Sequence, residues 1–158
     1  MYHVSENMVM NELLNFDNYN DLKKRRKIVL TVLMFTLTAC GGDLFAIETV
    51  QQYPGTHNDL LEFAYNEKSD NARPKLSGHI ENPEKYDYIF VGYPNWNADL
   101  PMPLYSFFEE YDFSGKTIIP FVTHGGSSFS GTINTIKKLE PDATVIKSGL
   151  SISRNNVS

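Results

Sequence analysis

Apolar positions recur most regularly in the middle of the chain, where they predict a strand followed by a helix. Residues 86–93 form a nearly continuous apolar run, which is typical of a strand covered on both faces. Pro103 then stands where a proline is tolerated in the first turn of a helix. Apolar residues spaced at i, i+3, i+4 and i+7 predict one apolar face on that helix. They are Leu104, Phe107, Phe108 and Tyr111.

A second unit of the same kind follows directly. Residues 116–122 predict a strand, residues 123–131 a loop rich in glycine and serine, and residues 133–139 a helix. Residues 143–152 predict the last strand. Alternating strands and helices imply a parallel sheet with right-handed crossovers, so the predicted class is α/β with a doubly wound, three-layer sheet. In such sheets ligands bind outside the carboxyl ends of the strands, where both loops lie.

The region before these units gives a less regular pattern. Residues 43–50 alternate well enough to predict a short strand, which a turn at residues 53–55 closes. Asn58 is predicted to cap a helix with an incomplete apolar stripe, and residues 69–74 are predicted to be loop. We expect this region to wrap the sheet rather than to perform chemistry.

The amino-terminal part has the pattern of a targeting signal. Five basic residues at 23–27 precede the apolar run 28–39, which is typical of a secretory signal peptide and is short for a membrane span. The end of this run, up to Cys40, resembles the bacterial lipobox, so lipidation of Cys40 and an extracytoplasmic, membrane-anchored location are predicted. The alternative is a buried core strand in a cytoplasmic protein.

These patterns divide the chain into three parts. Residues 1–22 are polar and are expected to be a disordered extension, unless translation starts later. Residues 23–40 form the signal-like segment, and residues 41–158 form a partial α/β domain.

Composition narrows the functional classes. The 158 residues are 41% hydrophobic and carry a formal net charge of −5, which argues against nucleic acid as a partner because phosphate binding needs clustered Lys and Arg. Cys40 is the single cysteine, so an internal disulfide and CxxC chemistry are excluded. The four histidines are scattered, and we expect no dedicated metal site.

The first of the two loops offers a wall for a planar ring. Trp96 follows the predicted strand and belongs to no apolar period, so its indole can stack on a ring such as that of a flavin. The alternative is a half-buried hydrophobe that closes the sheet edge. The residues that shape this loop are Pro94, Asn95, Asn97 and Ala98.

The second loop offers backbone donors. Gly125 and Gly126 allow the backbone to approach a ligand, while Thr123 and Ser127 add hydroxyl groups. On its own, such a loop is more simply interpreted as a flexible connection. It becomes a candidate for ligand binding because it is the next strand-to-helix loop after the one that holds Trp96. His124 would lie beside the ring edge, although a histidine bound by the local backbone is the equal alternative. We therefore assign His124 no acid–base role, and no catalytic residue is predicted.

Residues 86–152 resemble the flavodoxin-like family, in particular bacterial flavodoxins of the type often built as secreted lipoproteins. The resemblance rests on short motifs between residues 92 and 127, and residues 42–47 also look like the family's second strand. The motifs are Gly92-Tyr93-Pro94 with Trp96, Pro101-Met102-Pro103, Asp112-Phe113-Ser114-Gly115-Lys116, Pro120-Phe121, Thr123-His124 and Gly126-Ser127. The resemblance implies a five-stranded sheet, FMN as the cofactor, and electron transfer or a flavin-dependent reduction.

The chain also departs from the family pattern. The family begins with a strand and a phosphate-binding loop rich in Ser, Thr and Gly, whereas the signal-like segment here runs directly into the second strand. No residue is therefore carried over as a phosphate ligand. The family also ends with a helix that this sequence lacks. We expect weak FMN affinity, an exposed sheet edge and one exposed face.

Three functional hypotheses follow. The first is an FMN-binding electron-transfer protein whose partner is a redox protein or a small-molecule acceptor. The second is a truncated remnant without flavin. The third is a secreted NAD(P)H-dependent flavin or quinone reductase on the same fold, and the fold alone does not separate the three.

Overall fold

A computed structural model describes residues 42–154 of the protein. The predicted extension 1–22, the signal-like segment 23–40 and the lipidation of Cys40 all lie outside these residues and stay predictions. The described elements, in chain order, are α1 His57–Ser69, a 3₁₀ turn Pro83–Lys85, β1 Tyr88–Pro94, α2 Met102–Glu110, β2 Thr117–His124, α3 Thr132–Leu139, β3 Thr144–Val145 and β4 Leu150–Ser153. Both predicted strand–loop–helix units are confirmed.

The strands form one parallel sheet with β2 at its centre. Val91 of β1 lies opposite Pro120 of β2, and the pairing runs from Tyr88 to Pro94. On the other side of β2, β3 pairs with its amino end and β4 with its carboxyl end, both in parallel. All described strands therefore point the same way, and their carboxyl ends meet at one edge of the sheet.

The predicted last strand, residues 143–152, is divided into β3 and β4, and Pro120 explains the break. The backbone of Ile118 faces β3, because its carbonyl accepts a hydrogen bond from the Ile146 N–H at 2.9 Å. Two residues later Pro120 faces the same side, but proline has no N–H to donate. The ladder therefore stops after Ile118 and resumes at Phe121.

Gly149 lies at this break, and its substitution gives a first prediction. A Cβ at Gly149 would lie 1.9 Å from the Pro120 carbonyl oxygen, whereas a Cβ at Gly92 would lie 1.9 Å from the tip of the Phe121 ring. A backbone carbonyl cannot move aside, but a ring can. We expect Gly149→Ala to lower the free energy of unfolding by about 3 kcal/mol and Gly92→Ala by about 1 kcal/mol or less. Urea denaturation of both variants tests this order, and a larger loss for Gly92→Ala would contradict it.

One face of the sheet carries the core. Val91 and Tyr93 of β1 and Ile118 and Val122 of β2 alternate inward and are at most 3% exposed. They pack against apolar residues of α2 and α3 in one cluster with the buried Phe113. The remaining buried members from the two helices are Leu104, Phe107, Phe108 and Ile136.

The opposite face of the sheet is open. Tyr88 is 64% exposed, and Phe90 and Leu150 are each 43% exposed. β1 pairs only with β2 within residues 42–154, so its other edge is unpaired there. Among residues 42–154, no strand pairs with this edge and these side chains of the face are exposed.

Two predictions for the region before β1 are wrong. Residues 43–50 form no strand; only Thr49 makes an isolated antiparallel bridge, to Leu76. Their apolar side chains pack on a helix instead, as shown by Phe45, whose ring centroid lies 6.4 Å from that of Phe107. The cap of α1 is Thr56 rather than Asn58, because the Thr56 side chain accepts the Asp59 N–H and the helix already begins at His57.

None of the helices described between residues 42 and 154 is both long enough and apolar enough to cross a membrane.

Candidate functional site

Two loops that follow neighbouring strands meet at the carboxyl edge of the sheet. We call residues 95–101, after β1, the tryptophan loop, and residues 125–131, after β2, the glycine loop. The Asn95 side-chain amide donates to the Ser128 carbonyl at 2.8 Å and to the Ser130 hydroxyl at 3.0 Å. The Gly131 N–H donates to the Ala98 carbonyl at 3.3 Å. These bonds hold the two loops together as one surface.

Backbone strain is concentrated in these two loops. Six non-glycine residues of the described chain have positive φ, and the following four of them lie here: Asn97 (50°), Ala98 (60°), Ser128 (51°) and Ser130 (46°). Trp96 and Asp99 exchange backbone hydrogen bonds of 3.0 and 2.9 Å, which closes a two-residue turn over Asn97 and Ala98. The left-handed conformation costs about 1 kcal/mol or more at a residue such as alanine. Strain of this kind clusters at binding and catalytic sites, so it marks these loops as the candidate site.

Trp96 is half-buried at the rim of the tryptophan loop. Its ring centroid lies 6.0 Å from that of Tyr53, which comes from the segment before α1. Tyr53 is in turn fixed by α1, because its hydroxyl donates to the Glu67 carboxylate at 2.8 Å and its ring packs edge-on against Phe63. Trp96, which was predicted to stack on a planar ring, therefore packs against a tyrosine side chain that α1 holds in place.

Asp99 organises the tryptophan loop from the inside. Its Oδ1 accepts from the Leu100 N–H at 2.9 Å and the Thr135 hydroxyl at 2.8 Å, and its Oδ2 accepts from the Tyr105 hydroxyl at 3.0 Å. Lys68 lies 3.4 Å away. Burial acts to raise the pKa of Asp99, but these hydrogen bonds and the Lys68 charge outweigh it, so the pKa is lowered. One carboxylate thus ties the loop to all three helices.

Two successive hydrogen bonds from buried hydroxyl groups connect the glycine loop to β1. Tyr93 of β1 donates to the Thr132 hydroxyl at 2.9 Å, and Thr132 donates to the Phe129 carbonyl at 2.6 Å. Burial is the main reason that the pKa of Tyr93 is raised to about 12, so this hydroxyl keeps its proton at all physiological pH values.

The hydrogen bonds of His124 identify its tautomer. The Gly126 N–H donates to His124 Nδ1 at 2.9 Å, so Nδ1 is the acceptor and the ring proton lies on Nε2. Nε2 lies 2.9 Å from the Ser151 hydroxyl and therefore donates to it. A histidine in this state cannot take a proton from Ser151. The pair is therefore not an activated serine nucleophile.

The glycine loop presents backbone donors outward. Within residues 42–154, the N–H groups of Ser127 and Ser128 have no hydrogen-bond acceptor, and both residues are exposed. Their carbonyls are used inside the loop: Ser127 accepts from Ser130 at 3.2 Å and Ser128 from Asn95. Gly126 has φ 141°, a conformation that only glycine adopts without strain.

All ten predicted site residues lie at this edge of the sheet. Three of them, Pro94, Thr123 and His124, end the strands, and the other seven lie in the two loops. The Asn95 side chain is used to join the loops. Sequence reasoning missed Asp99, Ser151 and Arg154; the last two could have been found from the strand order, because β4 ends beside β2.

Two depressions of the described chain lie away from these loops, and one of them, of about 450 Å³, lies between α1 and residues 72–75. The other, of about 280 Å³, lies between α2 and residues 73–79. Four of its side chains pair with one another: Arg73 with Glu109 at 2.7 Å, and His79 with Glu110. No group of three His, Cys, Asp or Glu side chains between residues 42 and 154 is arranged to hold a metal ion.

Comparison with known proteins agrees with this architecture. A solved structure of a provisionally assigned flavoprotein from Bacteroides eggerthii DSM 20697 is 30% identical, with a TM-score of 0.60 over 77% of this chain and 80% of that one. Another, from Bacteroides uniformis ATCC 8492, is 28% identical, with a TM-score of 0.60 over 78% of this chain and 83% of that one.

A flavoprotein from Lactobacillus acidophilus NCFM, solved in complex with FMN, is 15% identical and shares the fold, with a TM-score of 0.53 over 63% of this chain and 68% of that one. Among curated proteins, a search found no match. The model of the flavodoxin family matches residues 35–157. The chain therefore belongs to the flavodoxin family.

Proposed function

We propose that the chain binds FMN between the tryptophan loop and the glycine loop and acts as an electron-transfer flavoprotein. One observation carries the proposal: two strained loops are bonded together at the carboxyl edge of a parallel sheet, where ligands of such sheets bind. The FMN complex of the Lactobacillus acidophilus flavoprotein, which has the same fold, supports the choice of cofactor.

The residues at this edge suit the chemistry of a flavin nucleotide. Trp96, which packs against Tyr53, offers an aromatic face to the flavin ring, and the N–H groups of Ser127 and Ser128 offer hydrogen-bond donors at the same edge of the sheet. FMN, when bound, supplies the redox chemistry, while the chain binds, orients and shields it. His124 keeps the Gly126 N–H turned inward and thereby aims the next two donors outward.

A fluorescence titration tests the proposal. Adding the full-length protein to FMN is expected to quench the flavin's fluorescence, because the ring stacks on Trp96. Replacement of Trp96 by alanine should weaken binding by about tenfold or more, and Trp96→Phe should keep most of the affinity. Tyr65→Ala, which removes an aromatic ring that is 66% exposed on α1, is the matched control.

Two outcomes would decide against the proposal. Absence of quenching at tens of micromolar FMN would favour the hypothesis of a chain without flavin. Equal losses in Trp96→Ala and Tyr65→Ala would place the flavin elsewhere. If FMN binds, oxidation of NADPH with a quinone acceptor would favour a reductase over a carrier.

A further inference from the structure

Arg154 brings a positive charge to the glycine loop from a third strand. It follows β4 directly, and β4 runs beside the carboxyl half of β2. A Cβ placed on Gly125 would lie 3.4 Å from Cζ and 3.5 Å from Nε of Arg154. The guanidinium therefore lies against the bare backbone of Gly125, in contact with the loop.

The charge of Arg154 is not neutralised within the described chain. Arg154 is exposed and makes no ion pair with a carboxylate of residues 42–154. The sequence explains why: residues 113–139 and 143–158, which contain the glycine loop and β4, have no Asp or Glu. In a protein of net charge −5 this is a local positive region.

The loop beside Arg154 offers two backbone donors in exposed residues. The N–H groups of Ser127 and Ser128 lack acceptors in the described chain, while the carbonyls of the same two residues, which would repel an anion, accept hydrogen bonds from the Ser130 N–H and the Asn95 side chain. The Ser128 hydroxyl lies 2.9 Å from that of Ser151 and adds a polar group to the same surface. Successive free N–H groups in a loop that a guanidinium contacts are donors of the kind that bind phosphoryl and carboxylate groups.

We propose that Arg154 and the N–H groups of Ser127 and Ser128 form an anion subsite at the rim of the candidate flavin site. The subsite takes a phosphoryl or carboxylate group. That group comes either from the flavin nucleotide's own phosphate or from a second molecule that reacts at the flavin. The subsite depends on the loop's own donors, so it can be tested without flavin.

The first experiment uses inorganic phosphate and the full-length protein. Titration at constant ionic strength, followed by the amide resonances of Ser127 and Ser128, is expected to show saturable shifts. Arg154→Met should weaken phosphate binding by at least about tenfold, and Arg154→Lys, which keeps the charge but loses the planar fork, by less. Lys138→Met removes the same charge from an exposed position in the last turn of α3, roughly 10 Å along the helix from the glycine loop. This variant should have little effect on phosphate binding.

The second experiment identifies the source of the anion. FMN and riboflavin share the ring and differ by the phosphate, so their affinities for the parent and for Arg154→Met are compared by fluorescence quenching. A loss for FMN without a loss for riboflavin assigns the subsite to the flavin's own phosphate. Unchanged affinity for both, together with lost phosphate binding, assigns it to a second molecule.

Three results would overturn the proposal. The first is that Arg154→Met binds phosphate as tightly as the parent does. The second is that Lys138→Met loses as much phosphate affinity as Arg154→Met, which would reveal only an effect of net charge. The third is phosphate-induced shifts that avoid Ser127 and Ser128. If Arg154→Met does not fold, Arg154→Lys and the shift pattern of the parent decide by the same criteria.

Discussion

Asp99→Ala is expected to lower the free energy of unfolding by about 3 kcal/mol and to weaken FMN binding with it. The carboxylate accepts hydrogen bonds from Leu100, Thr135 and Tyr105, and its removal leaves these donors without a protein partner in a partly buried place. An unsatisfied buried donor costs on the order of 1–3 kcal/mol, and the losses here are shared among several groups. Urea denaturation measures the loss.

The functional part of this prediction uses a milder variant. Asp99→Asn keeps one acceptor oxygen and the side-chain volume, so the protein should stay folded while the turn between Trp96 and Asp99 loosens. FMN affinity is expected to fall several-fold relative to Asp142→Ala, which removes an exposed carboxylate at the start of the β3 unit. Unfolding curves for Asp99→Ala and Asp142→Ala that superimpose would contradict the role given to Asp99.

Glu140→Gln is expected to stabilise the protein above neutral pH and to leave its stability unchanged below about pH 4. Glu140 is 5% exposed, and its Oε2 accepts the Phe113 N–H at 3.3 Å, while Oε1 has no hydrogen-bond partner within residues 42–154. Burial and then the nearby Asp112 carboxylate raise the pKa of Glu140 to about 7, against the effect of the Phe113 N–H.

The sign follows from proton linkage. The unfolded pKa of this carboxyl is 4.5, so between that value and about 7 the folded state holds a proton that the unfolded state has released. The stability of the parent therefore falls as pH rises through this window and levels off above it, by at most about 3.5 kcal/mol at 1.4 kcal/mol per pKa unit.

Glutamine resembles the protonated acid and does not titrate, which gives the comparison its control. The difference in unfolding free energy between Glu140→Gln and the parent, measured in urea at several pH values, should be near zero below about pH 4 and largest above about pH 7. Glu62→Gln, on an exposed position of α1, should show no such dependence. A difference for Glu140→Gln that does not change with pH would contradict the buried-carboxyl account.

The strands and helices between residues 86 and 139 could be predicted because their sequence signals are strong and local. A continuous apolar run marks β1, and a four-residue helical stripe marks α2. The division of the last strand could not be predicted in the same way. Pro120 is visible in the sequence, but its effect on residues 146–149 depends on a register that only the folded sheet reveals.

Residues 43–50 were predicted to form a strand, and they form none. Their alternation was satisfied by packing Phe45 against Phe107 of α2, and only one bridge to Leu76 formed. Alternation records which side chains are buried, but not whether a neighbouring strand supplies the hydrogen bonds.

Some residues of the candidate site could be predicted from the sequence, and others could not. Residues that follow a strand directly, such as Trp96 and Gly126, are readable from the sequence because the carboxyl ends of parallel strands gather at one edge. Asp99 is not, since its role comes from contacts with Lys68 and Thr135, which lie more than 30 positions away. Arg154 can be found only through the strand order, which brings the end of β4 beside β2 and Gly125.

An amide-resonance map of FMN binding tests the central claim most directly. The full-length protein is titrated with FMN, and the shifts are followed across residues 42–154. The account predicts that the largest shifts fall in residues 95–99 and 124–131, with the sheet's open face at Tyr88 and Phe90 unaffected. Shifts centred on the depression beside Arg73 and Glu109, or no saturable shifts at all, would contradict it.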